Sequence, residues 1–172
     1  MKLNIGGNQI HKDWTIFNIQ KKRGVDIVGD LKDLSQFKPN SIEEIYASHV
    51  LEHTTKKNCL EVLKYINRIL IPGGKFYISV PNMDVLCALF INPKATYNVK
   101  FSLMRMMFGG QIDDYDYHYF GWNYDFMAQY LTQANFTNFK KVNSLGLFND
   151  MSEIRAYGHL ISLNIIASKQ LK

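Results

Sequence analysis

The chain has only two cysteines in 172 residues, Cys59 and Cys87. They form no CxxC pair or other cysteine-ligand spacing, which excludes a zinc ribbon and a disulfide-framed small domain. Proline is scarce, with four in all, and no Pro/Gly-rich stretch marks a linker. No apolar run approaches the roughly 20 residues that a membrane helix requires. The opening Met1-Lys2-Leu3-Asn4-Ile5-Gly6-Gly7 lacks the apolar core of a secretory leader. Internal repeats and low-complexity segments are missing as well. These absences lead us to expect a soluble, cytoplasmic protein with free thiols, and no membrane partner.

What is present is ordinary for a globular domain: 47% apolar and 20% charged residues. The length predicts one domain, residues 1–172, able to bury about 70% of its unfolded surface. Twenty Lys and Arg against 15 Asp and Glu give a net charge of +5. That mildly favours an anionic ligand. The basic clusters Lys21-Lys22-Arg23, Lys56-Lys57 and Lys140-Lys141 are scattered and form no stripe, so a nucleic-acid partner is not expected.

Patterning predicts an α/β domain. Strands are expected over Lys2 to Gly6, Thr15 to Gln20, Val25 to Val28 and Ile42 to Ser48. Asn58 to Leu70 carries an apolar stripe at helical spacing, stopped by Pro72-Gly73-Gly74. Phe76, Ile78 and Val80 alternate in a fifth strand. Helices follow from Asp84, as cap, to Phe90, over Tyr97 to Phe108, and from an Asn123 or Asp125 cap to Ala134. Phe139 to Leu147 and Leu160 to Ser168 read as the last strands. Eight residues separate Gly6 from Thr15, fewer than a parallel crossover with a helix takes. The first crossover helix is therefore reduced or missing, or the second strand is misplaced.

Gly29-Asp30-Leu31, the run Ser41 to His53 containing ASHVLEH, and the run Arg68 to Pro81 containing ILIPGGKFYISVP resemble class I S-adenosylmethionine-dependent methyltransferases. The type 11 group is the nearest in pattern. The similarity is strongest over 25–84 and continues faintly through Gly109-Gly110-Gln111, His118, Gly121 and Asn135-Phe136. It implies a Rossmann-like methyltransferase fold with a mostly parallel seven-stranded sheet and an antiparallel final hairpin. It also implies S-adenosyl-L-methionine as cofactor, with S-adenosyl-L-homocysteine as product.

The resemblance carries over to particular residues. Gly6, Gly7 and Asn8 occupy the glycine turn after the first strand, where the family has an acid and three spaced glycines. Gln20 stands where the family places a ribose-binding acid, and an amide cannot supply a carboxylate's charge-assisted bonds. Asp30 and the backbone of Leu31 match the adenine contacts. Ser48, His49 and Val50 fall beside the methionine part, and Asn82 on the substrate side. The segment Asp113 to Trp122, with Tyr117, His118 and Tyr119, lies where the family forms its substrate pocket, and residues 91–122 read as a lid or insertion. Its carboxylates and aromatic faces suit a cationic amine. His49, His53 and His118 are the candidates for a general base, if one is used.

His49-Val50-Leu51-Glu52-His53 also reads as H-x-x-E-H, the inverted zinc-peptidase pattern. It follows a strand directly and no later helix offers an acidic third ligand, so no metal is expected. The reading is methyl transfer to oxygen or nitrogen of a small-molecule or glycan-type acceptor. A non-catalytic nucleoside- or partner-binding module of the same fold is the alternative, and an RNA methyltransferase a third. The uncovered side of the site leaves room for a homodimer.

Overall fold

The computed structural model describes residues 1–171. Its main strands are β1 (Lys2–Ile5), β2 (Trp14–Asn18), β3 (Ile27–Val28), β4 (Ile42–Ser48), β5 (Leu70–Pro81), β6 (Phe136–Val142) and β9 (Ser162–Lys169). They form one seven-stranded sheet of order β3-β2-β1-β4-β5-β9-β6. A separate two-stranded ribbon pairs residues Arg155–Ala156 (β7) with His159–Leu160 (β8). The pairings from β3 through β5 are parallel, and β9 lies antiparallel between β5 and β6. This is the sheet expected from the resemblance.

Helices cover one face. α1 (Lys56–Ile69) buries Cys59, Val62, Leu63, Ile66 and Ile69, the stripe read from the sequence. α4 (Tyr124–Gln133) buries Met127 and Leu131 into the same core. The Asn123 side chain caps α4 by accepting from Phe126 N at 3.0 Å. Asn135, in the left-handed region at φ 62°, ends that helical segment and turns it into β6. Between β5 and α4 the chain makes an excursion through α2 (Met83–Phe90) and α3 (Tyr97–Phe108), packed together through Leu86 and Leu103 against Ile161.

The other face has no α-helix among the described residues, only the short 3₁₀ turn Met151–Glu153. The crossovers from β1 to β2, β2 to β3 and β3 to β4 are all irregular. Leu31, Leu34 and Phe37, from the loop after β3, fill the helical side. The opposite side is closed by aromatics: Trp14, Tyr46, Tyr77 and Phe148 pack together with Leu145. The Tyr46 hydroxyl donates to Asp150 Oδ2 at 2.7 Å, and Asn164 Nδ2 donates to Ser152 O at 2.8 Å, pinning the loop after β6.

Several boundaries differ from the sequence reading. The strand expected over Phe139 to Leu147 is Phe136–Val142, because Leu145 and Phe148 are apolar for covering the sheet face, not for lying in it. The second strand ends at Asn18 rather than Gln20. Helix α1 starts at Lys56 and passes at Leu70 straight into β5, which runs through Pro72-Gly73-Gly74 with a register shift opposite Ile42 and Glu44. α2 is capped by Asn82, whose Oδ1 accepts from Asp84 N at 3.2 Å, rather than by Asp84.

Leu63 is fully buried at the centre of the α1 stripe. Leu63→Ala should destabilise the fold by about 2–5 kcal/mol, the range for truncating a core leucine. Urea denaturation would show this as a lower midpoint with an unchanged slope.

Candidate functional site

The strand order reverses between β1 and β4, and ligands of open α/β sheets bind beyond the carboxyl ends of strands at such a point. A cavity of about 460 Å³ lies there. Gly6, Gln20, Asp30, Leu31, His49 and Val50, all read as cofactor residues, line it. Asn18, Lys22, His53, Asp114 and Tyr119 line it too. Gly7, Asn8 and Ser48 belong instead to a separate cavity of about 280 Å³, with Asn4, Phe148 and Asp150. The structure thus divides the expected residues between two places.

Gly6 sits at φ 82°, and a Cβ there would come within 2.2 Å of Val50 Cγ2, so the turn requires glycine twice over. Asn18 holds the turn. Its Nδ2 donates to Gly6 O at 2.8 Å and Gly7 O at 3.0 Å, while its Oδ1 accepts from Gln20 N at 2.9 Å. One buried carboxamide ties the end of β1 to the end of β2 where a crossover helix is lacking. Sequence reasoning missed Asn18; the signal available was a polar residue closing an apolar strand. Gln20 Nε2 donates to Asp113 Oδ2 at 3.3 Å, linking the first cavity to the acidic segment. Asp30 accepts from Lys32 N at 2.9 Å and pairs with Lys32 Nζ at 3.1 Å.

A second cavity, of about 510 Å³, shares His49 and His53 with the first. Pro81, Ser102, Arg105, Asp116 and His118 also line it. The histidines therefore stand where the two cavities meet. His49 adopts φ 53°, a left-handed conformation uncommon outside glycine. Its amide still donates to Ser79 O at 2.8 Å, extending the β4–β5 pairing. The Ser162 hydroxyl donates to Met151 O at 2.9 Å, so it must accept from His49 Nε2, also at 2.9 Å. That fixes the proton on Nε2 and turns the Nδ1 lone pair toward Glu52 Oε1 at 3.4 Å.

Glu52 is 1% exposed, and neither carboxyl oxygen has a hydrogen-bond partner among the described residues. Burial pushes its pKa up to about 8, so near neutrality it holds its proton. Burial pulls His49 down to about 4. The pair is thus a neutral contact rather than an ion pair. His53 and His118 are lowered too, first by burial. Carbonyls cannot donate, so His53 Nδ1 donates to Tyr117 O at 3.0 Å and His118 Nδ1 to Met106 O at 3.1 Å. Each ring keeps an Nε2 lone pair.

The remaining sequence candidates lie elsewhere. Asn82 is buried, caps α2 and lines neither of these cavities. Tyr119 faces the first cavity, not the second. Tyr117 lines neither; it stacks on Tyr119 and lends its carbonyl to His53. Glu52 entered the sequence reading within the ASHVLEH run and the peptidase pattern but not as a site residue, and Arg105 and Asp114 had no individual role there, because spacing alone does not show which charged groups a loop turns inward.

Residues 8–78 match the family model described as a methyltransferase domain. Comparison with curated proteins finds no match. Among solved structures, a SAM-dependent methyltransferase from Archaeoglobus fulgidus is 15% identical at a TM-score of 0.60, covering 98% of this chain and 85% of its own. The Burkholderia thailandensis 1,6-didemethyltoxoflavin-N1-methyltransferase, solved with its substrate and S-adenosylhomocysteine, is 16% identical at 0.62, covering 98% and 71%. The CurJ carbon methyltransferase is 16% identical at 0.59, and this chain spans 48% of that one. The family model matches 71 of the 172 residues, and the sheet, with its antiparallel final strands, has the class I, Rossmann-like methyltransferase fold of these structures.

Asn18→Ala removes the side chain that bridges the two strand ends through these three bonds. We expect a loss of about 1–3 kcal/mol from the unpaired carbonyls, read as a lower urea midpoint.

Proposed function

We propose that the protein transfers the methyl group of S-adenosyl-L-methionine to an oxygen or nitrogen of a small-molecule or glycan-type acceptor. One observation carries this reading: the cavity at the strand ends and the second cavity meet at His49 and His53. Methyl transfer needs a donor and an acceptor held in line, and positioning of two reactants is worth up to about 7–11 kcal/mol.

The residues of the first cavity fit the cofactor. Its volume, about 460 Å³, is in the usual range for small-ligand sites. The turn at Gly6 leaves backbone exposed to a ligand, and Asp30 and the backbone of Leu31 suit an adenine edge. Gln20 offers one acceptor to a ribose hydroxyl. Asp114, brought by the acidic segment, supplies the carboxylate that β2 lacks. The bound cofactor supplies an electrophilic methyl on a sulfonium.

The second cavity holds the acceptor. Ser102, Arg105 and Asp116 give it a polar wall suited to a small polar molecule. The Nε2 lone pairs of His53 and His118 accept hydrogen bonds from its O–H or N–H and orient it. Both nitrogens of His49 are turned to Ser162 and Glu52, so His49 acts as a positioning residue. Residues 91–122 serve as the lid, since they supply walls to both cavities. The Burkholderia protein of similar fold, a 1,6-didemethyltoxoflavin-N1-methyltransferase, fits this acceptor class.

Calorimetric titration with S-adenosylhomocysteine tests the reading. We expect one-to-one binding, weakened roughly 10–100-fold in Asp30→Asn and in Asp114→Asn, as loss of a charge-assisted bond predicts. Folded protein that binds no ligand at millimolar concentration would overturn it and favour the non-catalytic module, for which Gln20 in place of an acid is the specific argument.

A further inference from the structure

We infer that Glu52, His53 and His118 form a site for a divalent first-row transition-metal ion. One ligand atom from each of the three lies within 4.8 Å of the others. His118 Nε2 is 4.0 Å from Glu52 Oε1, and the His53 and His118 rings meet edge to face with centroids 4.8 Å apart. Ligands at about 2.0–2.2 Å from a metal stand roughly 3–3.5 Å from one another. Small rotations about side-chain torsions bring the cluster to that spacing.

Three features make this more than proximity. Glu52 is 1% exposed and both its oxygens lack partners among the described residues, an arrangement that is costly for a carboxyl group with no task. Both histidines donate Nδ1–H to a backbone carbonyl, Tyr117 O and Met106 O. Metal-ligating histidines are held this way, with the outer hydrogen bond setting the tautomer and the ring plane. Finally, His53 and His118 open onto the cavity of about 510 Å³, so coordination positions opposite the protein ligands stay available.

The donor set names the metal class. Two imidazoles and one carboxylate with open positions suit zinc, iron(II), cobalt(II) or manganese(II). Calcium and magnesium prefer oxygen cages. The set is not the inverted peptidase pattern, which would use His49 and His53 on one helix. Here His49 bonds Ser162, and the third ligand comes from the acidic aromatic segment. In a metal-bound state Glu52 gives up its proton to the solvent as the ion takes its place. In the metal-bound state the Nε2 lone pairs of His53 and His118 go to the ion, and the open positions would hold the acceptor through its oxygens in their place; that role rests on the function proposed above, whereas the site itself does not.

Cobalt(II) is the probe. Protein freed of metal by chelator and dialysis is titrated with cobalt chloride while visible d–d absorption and thermal melting are followed. We expect one equivalent to bind, with a raised melting temperature. Glu52→Gln keeps the shape and removes the anionic ligand. It should weaken binding by at least the roughly 10–100-fold that losing an outer partner of a metal site costs. His118→Asn should do the same, and His11→Ala, which is outside the cluster and lines neither cavity, should change nothing. Absence of cobalt bands in the folded wild type, or unaltered binding in folded Glu52→Gln, would overturn the inference. S-adenosylhomocysteine titration of the same metal-free sample separates failure of this site from failure of the cofactor site.

Discussion

The carbonyl oxygen of Glu52 accepts from two amides at once, Tyr119 N at 2.8 Å and Phe120 N at 3.2 Å. This junction sets the path of the segment between β5 and α4. It fastens the acidic aromatic segment to the short 3₁₀ turn Leu51–His53, immediately after β4. His118 comes to lie against His53 as a result, and the second cavity acquires a wall. The aromatic cluster of Phe120, Trp122 and Tyr130 secures the segment from the helical side. One residue thus uses its backbone to place this segment and its buried side chain to sit beneath His53 and His118. Burying that side chain as an anion would be expensive. Its neutral form, or a bound cation, removes the penalty.

The sheet solves a different problem, since the crossovers among its first four strands carry no helix. Without helices one face would stay wet, and parallel sheets are normally buried on both faces. The chain answers with aromatic packing. Trp14, Tyr46 and Phe148 meet at centroid separations of 4.7 to 6.2 Å, and the Tyr46–Asp150 bond anchors the covering loop. The Asn18 carboxamide does the corresponding work at the strand ends. These substitutes keep the glycine turn in position where no crossover helix does so. The resulting site is assembled from loops held by single polar side chains rather than by helix N-termini.

Much of this was legible in the sequence. The α1 stripe from Cys59 to Ile69 was plain because a 3.6-residue apolar period sustained over several turns marks an amphipathic helix and does not fit a strand. β4 and β5 were plain because their apolar residues are flanked by turn-forming ones. The resemblance also grouped Gly6, Gln20, Asp30 and His49, which the structure places around one cavity, since strand ends converge in a parallel sheet. What misled was apolar residues with a different task. Leu145 and Leu147 extend the pattern of β6 in sequence, yet they cover a face. Asn138 at φ 49°, beside the register shift between Thr137 and Lys140, bends the strand early.

The sequence alone therefore determined the class of fold and the order of its main elements, and it put Gly6, Asp30 and His49 at the end of the sheet where a cavity lies. Each follows from periodicity and from residue types at strand ends, which are local properties. Only the tertiary structure decided that Asn82 caps a helix, that Gly7 and Ser48 face away from Gly6 and Asp30, and that Glu52, His53 and His118 converge. Those outcomes depend on where one loop docks. The docking is made by backbone amides and a carbonyl, groups that every residue carries and that leave no mark in the order of side chains.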